Sequence, residues 1–331
     1  MTLPFITVLI DTYNYGHFIE QAIESVLSQD FPADRMEVLV VDDGSTDDTA
    51  ERVRKYASKI QYFQKENGGQ ASAFNWGLAR SRGDLIFLLD ADDYWLPNKL
   101  RRVVETFASS PAGMVSNNYE LSSPDAGRFV PSNLDLVSGH VPADLRSLLR
   151  YRVFPTSCLA FRRAALDRLL PIPEAIRLQA DAYLALLIIF VTPVLAIPEQ
   201  LTVYRIHGEN LYSVAGLRNT PESQRRRYQT SKIILEELHL WLMHNGFDTN
   251  EGNTRAFLDQ WTIFQQAAEY AIAPPSRLQL FSHLLRYNRI YRGQQNWKLT
   301  ALNYLFAAAA LVRGYKQSNS RMMPPEEVRR G

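Results

Sequence analysis

The sequence predicts an α/β protein, a mostly parallel sheet with flanking helices, followed by an all-helical C-terminal region. Three observations carry this. Over the first hundred residues, short apolar runs alternate with segments of helical periodicity, the signature of right-handed βαβ units. Polar clusters fall where the apolar runs stop, the rim at which open α/β sheets bind ligands. Charge and pattern also change together near residue 217: residues 1–217 hold 20 Lys or Arg against 26 Asp or Glu, and residues 218–331 hold 16 against 9. The division predicts two regions, 1–217 and 218–331.

Taken in order, Phe5 to Ile10 reads as a buried strand, and Ile19, Ala22, Ile23, Val26 and Leu27 follow helical spacing. Met36 to Val41 is a second strand, ending in Asp42-Asp43-Gly44-Ser45. A helix is expected from near Thr46, with Asp47 and Asp48 in its first turn, where carboxylates complement the dipole. Ile60 to Phe63 is a weaker strand, Gln70 to Arg80 a helix, and Leu85 to Leu89 a strand that runs into Asp90. Beyond them Met114 to Leu121 and Ser157 to Phe161 read as strands, Ala164 to Leu170 as a short helix and Asp181 to Phe190 as a buried one. Phe257, Trp261, Phe264, Ala268 and Ala271 describe one helix face, and Leu302, Leu305, Phe306 and Ala309 another. The tail from about Gln317, rich in Ser, Pro and charge, reads as frayed.

Composition narrows the function. A hydrophobic content of 46% excludes a disordered chain. Cys158, the single cysteine, allows no internal disulfide and no cysteine-based metal site, which favours a reducing compartment. A net charge of +1 argues against a dedicated nucleic-acid binder. Met1-Thr2-Leu3-Pro4 lacks the basic start of a secretory signal. Ala182 to Ile197 is apolar but short of the roughly 20 residues of a spanning helix, and Thr192-Pro193 interrupts it. It reads as a buried helix followed by a strand, in a cytoplasmic protein.

Asp90-Ala91-Asp92-Asp93 is the first candidate for chemistry. Crowded carboxylates repel one another unless a hard cation such as Mg²⁺ or Mn²⁺ sits between them. A solvated acidic turn before a helix near Pro97 fits the spacing equally well. Asp42-Asp43-Gly44-Ser45-Thr46-Asp47 is either a carboxylate that accepts from a base or ribose, or a glycine turn with a helix cap.

Together the pieces resemble a family. Val8-Leu9-Ile10-Asp11-Thr12-Tyr13-Asn14, followed by Ala22-Ile23-Glu24-Ser25-Val26-Leu27-Ser28-Gln29, is similar to the opening of the inverting family 2 glycosyltransferases of GT-A fold. Val40 to Asp47, Asn67-Gly68-Gly69-Gln70 with Ala73 to Gly77, Leu88 to Asp93 and Tyr204 to Asn210 resemble its later signatures, in order. The resemblance implies transfer of a sugar from a nucleoside diphosphate, UDP-sugars first, to a hydroxyl of a glycan or lipid-linked acceptor in bacterial surface polysaccharide synthesis. It implies that Thr12 and Tyr13 bind the nucleotide, with Tyr13 packing on the base and Asp43 hydrogen-bonding it. Gly68 and Gly69 would let backbone approach the nucleotide, and Asp90 would lie by the ribose or sugar. Asp92 and Asp93 would hold the donor and Mn²⁺ or Mg²⁺, with His207 as ligand or donor near the diphosphate and Arg205 beside it. Asp181, at the head of a helix, would be the base that deprotonates the acceptor; a simple helix cap is the ordinary reading.

Three positions depart from the family: Asp11 where proline is usual, Phe74 where a basic residue is frequent, and Ala180 where a second acid often stands. Phe154-Pro155-Thr156-Ser157 lines the acceptor groove or simply turns into a core strand. Arg286, Arg289, Arg292, Lys298, Arg313, Lys316 and Arg321 flank the apolar run Leu299 to Val312. That pattern suits peripheral docking on the inner face of a membrane, or a helical subdomain or homo-oligomer interface. A sugar nucleotidyltransferase would favour a basic glycine-rich loop, and Asp11 to Gly16 has no Lys or Arg. A non-catalytic nucleotide-sugar-binding module would not need Asp92, Asp93 and Asp181.

Overall fold

The computed structural model describes residues 3–124, 127–129, 155–208, 210, 221–273 and 275–291. The chain forms two compact units, Met1–Ser213 and Val214–Gly331.

In the first unit the elements run β1 (Ile6–Thr12), α1 (Gly16–Leu27), β2 (Met36–Asp42), α2 (Thr49–Arg54), β3 (Gln61–Gln64), α3 (Gln70–Leu78), β4 (Leu85–Asp90) and β5 (Tyr94–Trp95). There follow α4 (Lys99–Ala108), β6 (Met114–Ser123), β7 (Gly127–Phe129), β8 (Leu159–Arg162), α5 (Arg163–Leu166), α6 (Ala180–Val191) and β9 (Val194–Arg205). They build one sheet in the order β3-β2-β1-β4-β8-β6-β9-β5, with β7 on β6. Strands β3, β2, β1 and β4 are parallel. Strand β8 enters antiparallel between β4 and β6, and β5 runs antiparallel to β9.

Strands β1, β2 and β4 are largely apolar on both faces because both are covered, whereas the edge strand β3 is half-exposed. Ile6, Val8 and Ile10 of β1 join Phe87 and Leu89 of β4, Ile19 and Ile23 of α1 and Val103 and Phe107 of α4 in one core. Leu9 turns to the opposite face, where a Cβ at Gly77 of α3 would stand 2.4 Å from its methyl. That glycine lets α3 lie close on the sheet. Helix α6 is buried from Ala182 to Phe190, apolar all round because it is covered on every side. The stretch 182–197 is thus a core helix and part of β9, and no helix among the described residues is long and apolar enough to cross a membrane.

The helix expected from near Thr46 begins instead at Thr49. Asp47 is held out of it: Oδ1 accepts from the Thr49 N–H and hydroxyl at 3.1 and 2.5 Å, and Oδ2 accepts from the Gly16 N–H at 2.9 Å. The helix over 164–170 is shorter than expected, ending at Leu166 in a 3₁₀ turn, Asp167–Leu169.

The second unit contains α7 (Pro221–His244), α8 (Gly252–Ile272) and α9 (Arg277–Tyr291). Ile234, Leu238 and Leu242 recur every four residues on α7 and are buried, as are Phe257, Leu258 and Ile263 of α8. Of the predicted α8 face, Phe257 is fully buried and Trp261 half-buried. The face of Leu302 to Ala309, the tail from 317 and the basic residues beyond Arg289 lie outside the described residues.

Candidate active site

Strand alternation decides which carboxylates meet. Val8, Ile10, Leu89 and Ala91 point into the core with α1 and α4, so Asp11 and Asp90 point to the face of α3. Parallel pairing sets Asp11 beside Asp90, and the two carboxyls hydrogen-bond. Burial pushes the Asp11 carboxyl up to about 7. Asp90 is also raised well above the usual carboxylate range, first by burial and then by the charges of Asp11, Asp92, Asp93 and Asp181. One Asp11 oxygen, Oδ1, is buried without a hydrogen-bond partner.

Asp90, Asp92 and Asp93 each bring a carboxylate oxygen within 4.8 Å of the others. Asp93 is fully buried; its Oδ1 accepts from the Arg205 N–H at 2.9 Å and its Oδ2 from the Ser157 hydroxyl at 2.6 Å. Burial and the Asp92 charge keep its carboxyl well above the ordinary value. Asp92 meets His207 Nε2 at 3.0 Å and Asn210 Nδ2 at 3.3 Å. His207 thus reaches the cluster through Asp92. The next helix, α4, starts at Lys99 behind Asn98, so these acids do not cap it. They are also largely withdrawn from water, Asp92 being 8% exposed and Asp93 0%, which removes the solvated-turn reading.

Ser157 and Lys99 hold the cluster from below. The Ser157 hydroxyl also accepts from the Asp90 N–H at 3.1 Å. Its carbonyl accepts from Lys99 Nζ, Trp95 Nε1 and the Thr202 hydroxyl at 2.5, 2.9 and 3.1 Å. Lys99 is fully buried and also donates to Asn117 Oδ1 and Thr202 Oγ1 at 2.8 and 2.9 Å. Burial among these neutral acceptors brings its ammonium down to about 7.

Beside the acids stands the opposite charge. The Arg205 guanidinium lies 4.9 Å from the rings of both Phe18 and Tyr94, and its Nε and Nη2 are buried without hydrogen-bond partners. Buried guanidinium N–H groups without acceptors are costly unless a ligand atom accepts from them.

The other half of the rim is made by the loops after β1 and β2. Tyr13 is 40% exposed, whereas Thr12 is buried with Oγ1 unpartnered. Asn14, in the left-handed region at φ 57, accepts from the Thr46 N–H at 2.8 Å and ties the two loops together. Asp43 is buried; Oδ1 accepts from Lys65 Nζ at 2.7 Å and from Gly68 N–H at 2.9 Å, and Oδ2 from Gly69 N–H at 2.6 Å. Gly68 and Gly69 therefore serve Asp43 with their amides. Gly69, at φ 88, also has no room for a Cβ, which would come 2.7 Å from the Arg177 backbone.

Asp181 stands in the first turn of α6. Burial raises its carboxyl, against hydrogen bonds from the Ala182 N–H and from the hydroxyl and N–H of Thr156. The charge of Asp181 acts on both Asp11 and Asp90, so the predicted base and the acidic cluster share one site.

Sequence reasoning missed Gln70, Lys65 and Lys99 as parts of the site; Asp11 it placed in the polar cluster that ends β1, as a departure from the family that would alter donor contacts. Of the two readings of Phe154 to Ser157, acceptor groove or turn into a core strand, the structure shows the turn: Thr156 and Ser157 are buried in a 3₁₀ turn before β8, Thr156 accepting from Gln70 and Ser157 donating to Asp93; Phe154 lies outside the described residues. Phe74 is fully buried, so its departure from the family pattern changes the core. Only Asp11 carried a readable signal, as a charge at a strand end.

The profile of the family described as "Glycosyl transferase family 2" matches residues 7–170. An uncharacterized glycosyltransferase of Nostoc sp. is 30% identical over 278 residues, covering 80% of this chain and 84% of that one. Glycosyltransferase AglE of Haloferax volcanii is 34% identical over 130 residues, 38% of this chain and 43% of that one. Among solved structures, residues 1–349 of S. aureus TarS in complex with UDP align with a TM-score of 0.64 at 20% identity, over 95% of this chain and 90% of that one. Mannosyltransferase PcManGT of Pyrobaculum calidifontis, in complex with GDP-Man and Mn²⁺, aligns at 0.59 and 22% identity, over 97% and 83%. At these identities the two structures establish the fold, which is GT-A-like.

Proposed function

The chain belongs to glycosyl transferase family 2, and on that premise we propose that it is a metal-dependent inverting enzyme using a nucleoside-diphosphate sugar, UDP-linked first. One observation carries the reading: crowded, desolvated carboxylates and an Arg205 guanidinium with two buried nitrogens lacking acceptors occupy the same rim. One asks for a cation and the other for an anion, and a metal-bound diphosphate is both. The neighbours in complex with UDP and with GDP-Man and Mn²⁺ support that donor class.

Asp92 and Asp93 would hold the cation, with Asp90 adjoining and His207 oriented on Asp92. Their fit rests on the acids themselves: buried and mutually repelling, they gain from a hard divalent ion more than a solvated cluster would. A bound Mn²⁺ or Mg²⁺ would supply neutralisation of charge on the departing nucleoside diphosphate. Arg205 would meet the phosphates, Tyr13 would stack on the base, and Asp43 with Lys65 would face its polar edge. Thr12, Gly68 and Gly69 would shape that base end of the site.

Asp181 would take the proton from the acceptor hydroxyl as it attacks the anomeric carbon on the face opposite the leaving group. Burial raises its proton affinity, which suits a general base working near neutrality. The acceptor would be a glycan or a lipid-linked sugar at the inner membrane face. Residues 218–331 would dock on an anionic membrane surface near it, or form a helical subdomain or homo-oligomer interface; no sedimentation with anionic vesicles at low or high salt would sink the docking.

The test is a donor screen with purified protein. UDP-GlcNAc, UDP-glucose and GDP-mannose are incubated with Mn²⁺ or Mg²⁺, with and without chelator. Slow hydrolysis of one of them, lost with chelator, is expected. Mn²⁺ affinity unchanged in Asp92→Ala/Asp93→Ala would sink the metal assignment.

A further inference from the structure

Helix α3 connects the two sides of the site. Its first residue, Gln70, has an amide whose orientation is dictated by its partners. The Ala180 N–H donates to Gln70 Oε1 at 3.0 Å, so Nε2 faces Asp90 Oδ1 at 3.2 Å and Thr156 Oγ1 at 3.4 Å. Ala180 opens α6, the helix that carries Asp181. The preceding Gln179 is left-handed at φ 61 and makes no side-chain cap bond. An N–H that helix starts leave unsatisfied is therefore capped from another element, by Gln70.

Thr156 completes the chain by hydrogen-bonding Asp181. The contacts run without a break from Asp181 through Thr156 and Gln70 to Asp90 and Asp11. Backbone clamps make the mount stiff. The Gln70 N–H donates to Arg177 O at 2.9 Å. Asn75 both donates to Ile172 O at 2.7 Å and accepts from its N–H at 2.8 Å. The segment leading into α6 is thus pinned along α3.

We propose that Gln70 is a positioning residue that sets the helix of the base Asp181 against the donor-side carboxylate Asp90. This rests on reading Asp181 as the base. One amide that accepts from one side and donates to the other fixes the separation between the acceptor-activating carboxylate and the sugar's reacting carbon. Neither leucine nor an ionised glutamate can do both.

The experiment measures kcat and donor KM for hydrolysis of whichever of UDP-GlcNAc, UDP-glucose and GDP-mannose the enzyme turns over fastest with Mn²⁺. The proteins are wild type, Gln70→Leu, Gln70→Glu, Asp181→Asn and the double variant Gln70→Leu/Asp181→Asn. Gln70→Leu is expected to lower kcat by about 10- to 100-fold, the scale of an ångström of misplacement, with the loss in kcat rather than KM. In the Asp181→Asn background it should add no further loss. Gln70→Glu keeps an acceptor for Ala180 but cannot donate to Asp90 when ionised, and it should be impaired as well. Should Gln70→Leu not fold, Gln70→Glu carries the test. Hydrogen exchange gives a readout apart from turnover: the Ala180 amide should exchange faster in Gln70→Leu and not in Gln70→Glu. An equal loss from Gln70→Leu in both backgrounds overturns the proposal, as does wild-type kcat in Gln70→Glu maintained at both pH 6 and pH 9. Wild-type kcat in Asp181→Asn instead overturns the base reading on which it stands.

Discussion

The two ends of the sheet treat a buried carboxylate in opposite ways. Glu37 lies beside Thr7 near the amino ends of β2 and β1, and Asp11 and Asp90 lie near the carboxyl ends of β1 and β4. Glu37 accepts from the Thr7 hydroxyl at 2.7 Å, from Arg82 N–H at 2.6 Å and from Arg82 Nε at 3.0 Å. Burial pushes its carboxyl up, but these donors outweigh burial and it sits below the usual range. At the other end burial wins, and like charges add to it. The balance of donors against burial and like charge decides the outcome: Glu37 has donors enough to offset its burial, and Asp11 and Asp90 do not.

The largest expected effect lies at the short-changed end. Asp181→Asn should reduce turnover by about 10²- to 10⁴-fold, the usual worth of a general base, in initial-rate assays with the donor found in the screen. Next, Ser157→Ala removes the hydroxyl that orients Asp93; calorimetric titration should show Mn²⁺ binding weakened about 10- to 100-fold, as for other outer partners of metal ligands. Unchanged Mn²⁺ affinity would mean that Ser157 serves only the core.

The smallest effects compare the ends directly, as denaturant midpoints at pH 5 and pH 8 with chelator present. Glu37→Gln should destabilise by about 1–3 kcal/mol, the cost of disrupting a satisfied buried group. A lowered carboxyl stabilises above its unfolded value of 4.5 and loses that stabilisation as pH falls through its folded value. The Glu37→Gln deficit should therefore be no smaller at pH 8 than at pH 5. Asp11 has the opposite sign. With a folded value of about 7 against an ordinary 3.8, its ionisation costs stability increasingly across that window, and the cost is complete above it. Asp11→Asn should be more stabilising at pH 8 than at pH 5. If the two substitutions respond to pH alike, the contrast between the ends fails.

Much of the first unit was legible because its signals are local. Apolar runs located β1, β2 and β4, and the polar clusters after them marked the rim. The start of α2 was not legible, because Asp47 is drawn away by the Gly16 amide, 31 residues distant. Site residues in family signatures, such as Asp92 and Asp181, could be named. Lys99 could not: a lysine near a helix start reads as surface, and only β6, β9 and the turn before β8 show that three neutral acceptors enclose it. Gln70 stood inside a quoted motif without a role, since its partners lie 20 and 110 residues away.

The insertion of β8 between β4 and β6 has a consequence for how the enzyme is made. Asp11, Asp43, Gln70 and the acids from Asp90 to Asp93 leave the ribosome first, together with the parallel strands that can begin to fold as a unit. Thr156 and Ser157 follow only with the turn into β8, then Asp181, and Arg205 at the end of β9 is last. A nascent chain stopped before β8 would carry the carboxylates of Asp11, Asp43 and Asp90 to Asp93 without the Ser157 hydroxyl that Asp93 accepts from, without Asp181 and without Arg205. The site is thereby complete only when the chain has reached the end of β9.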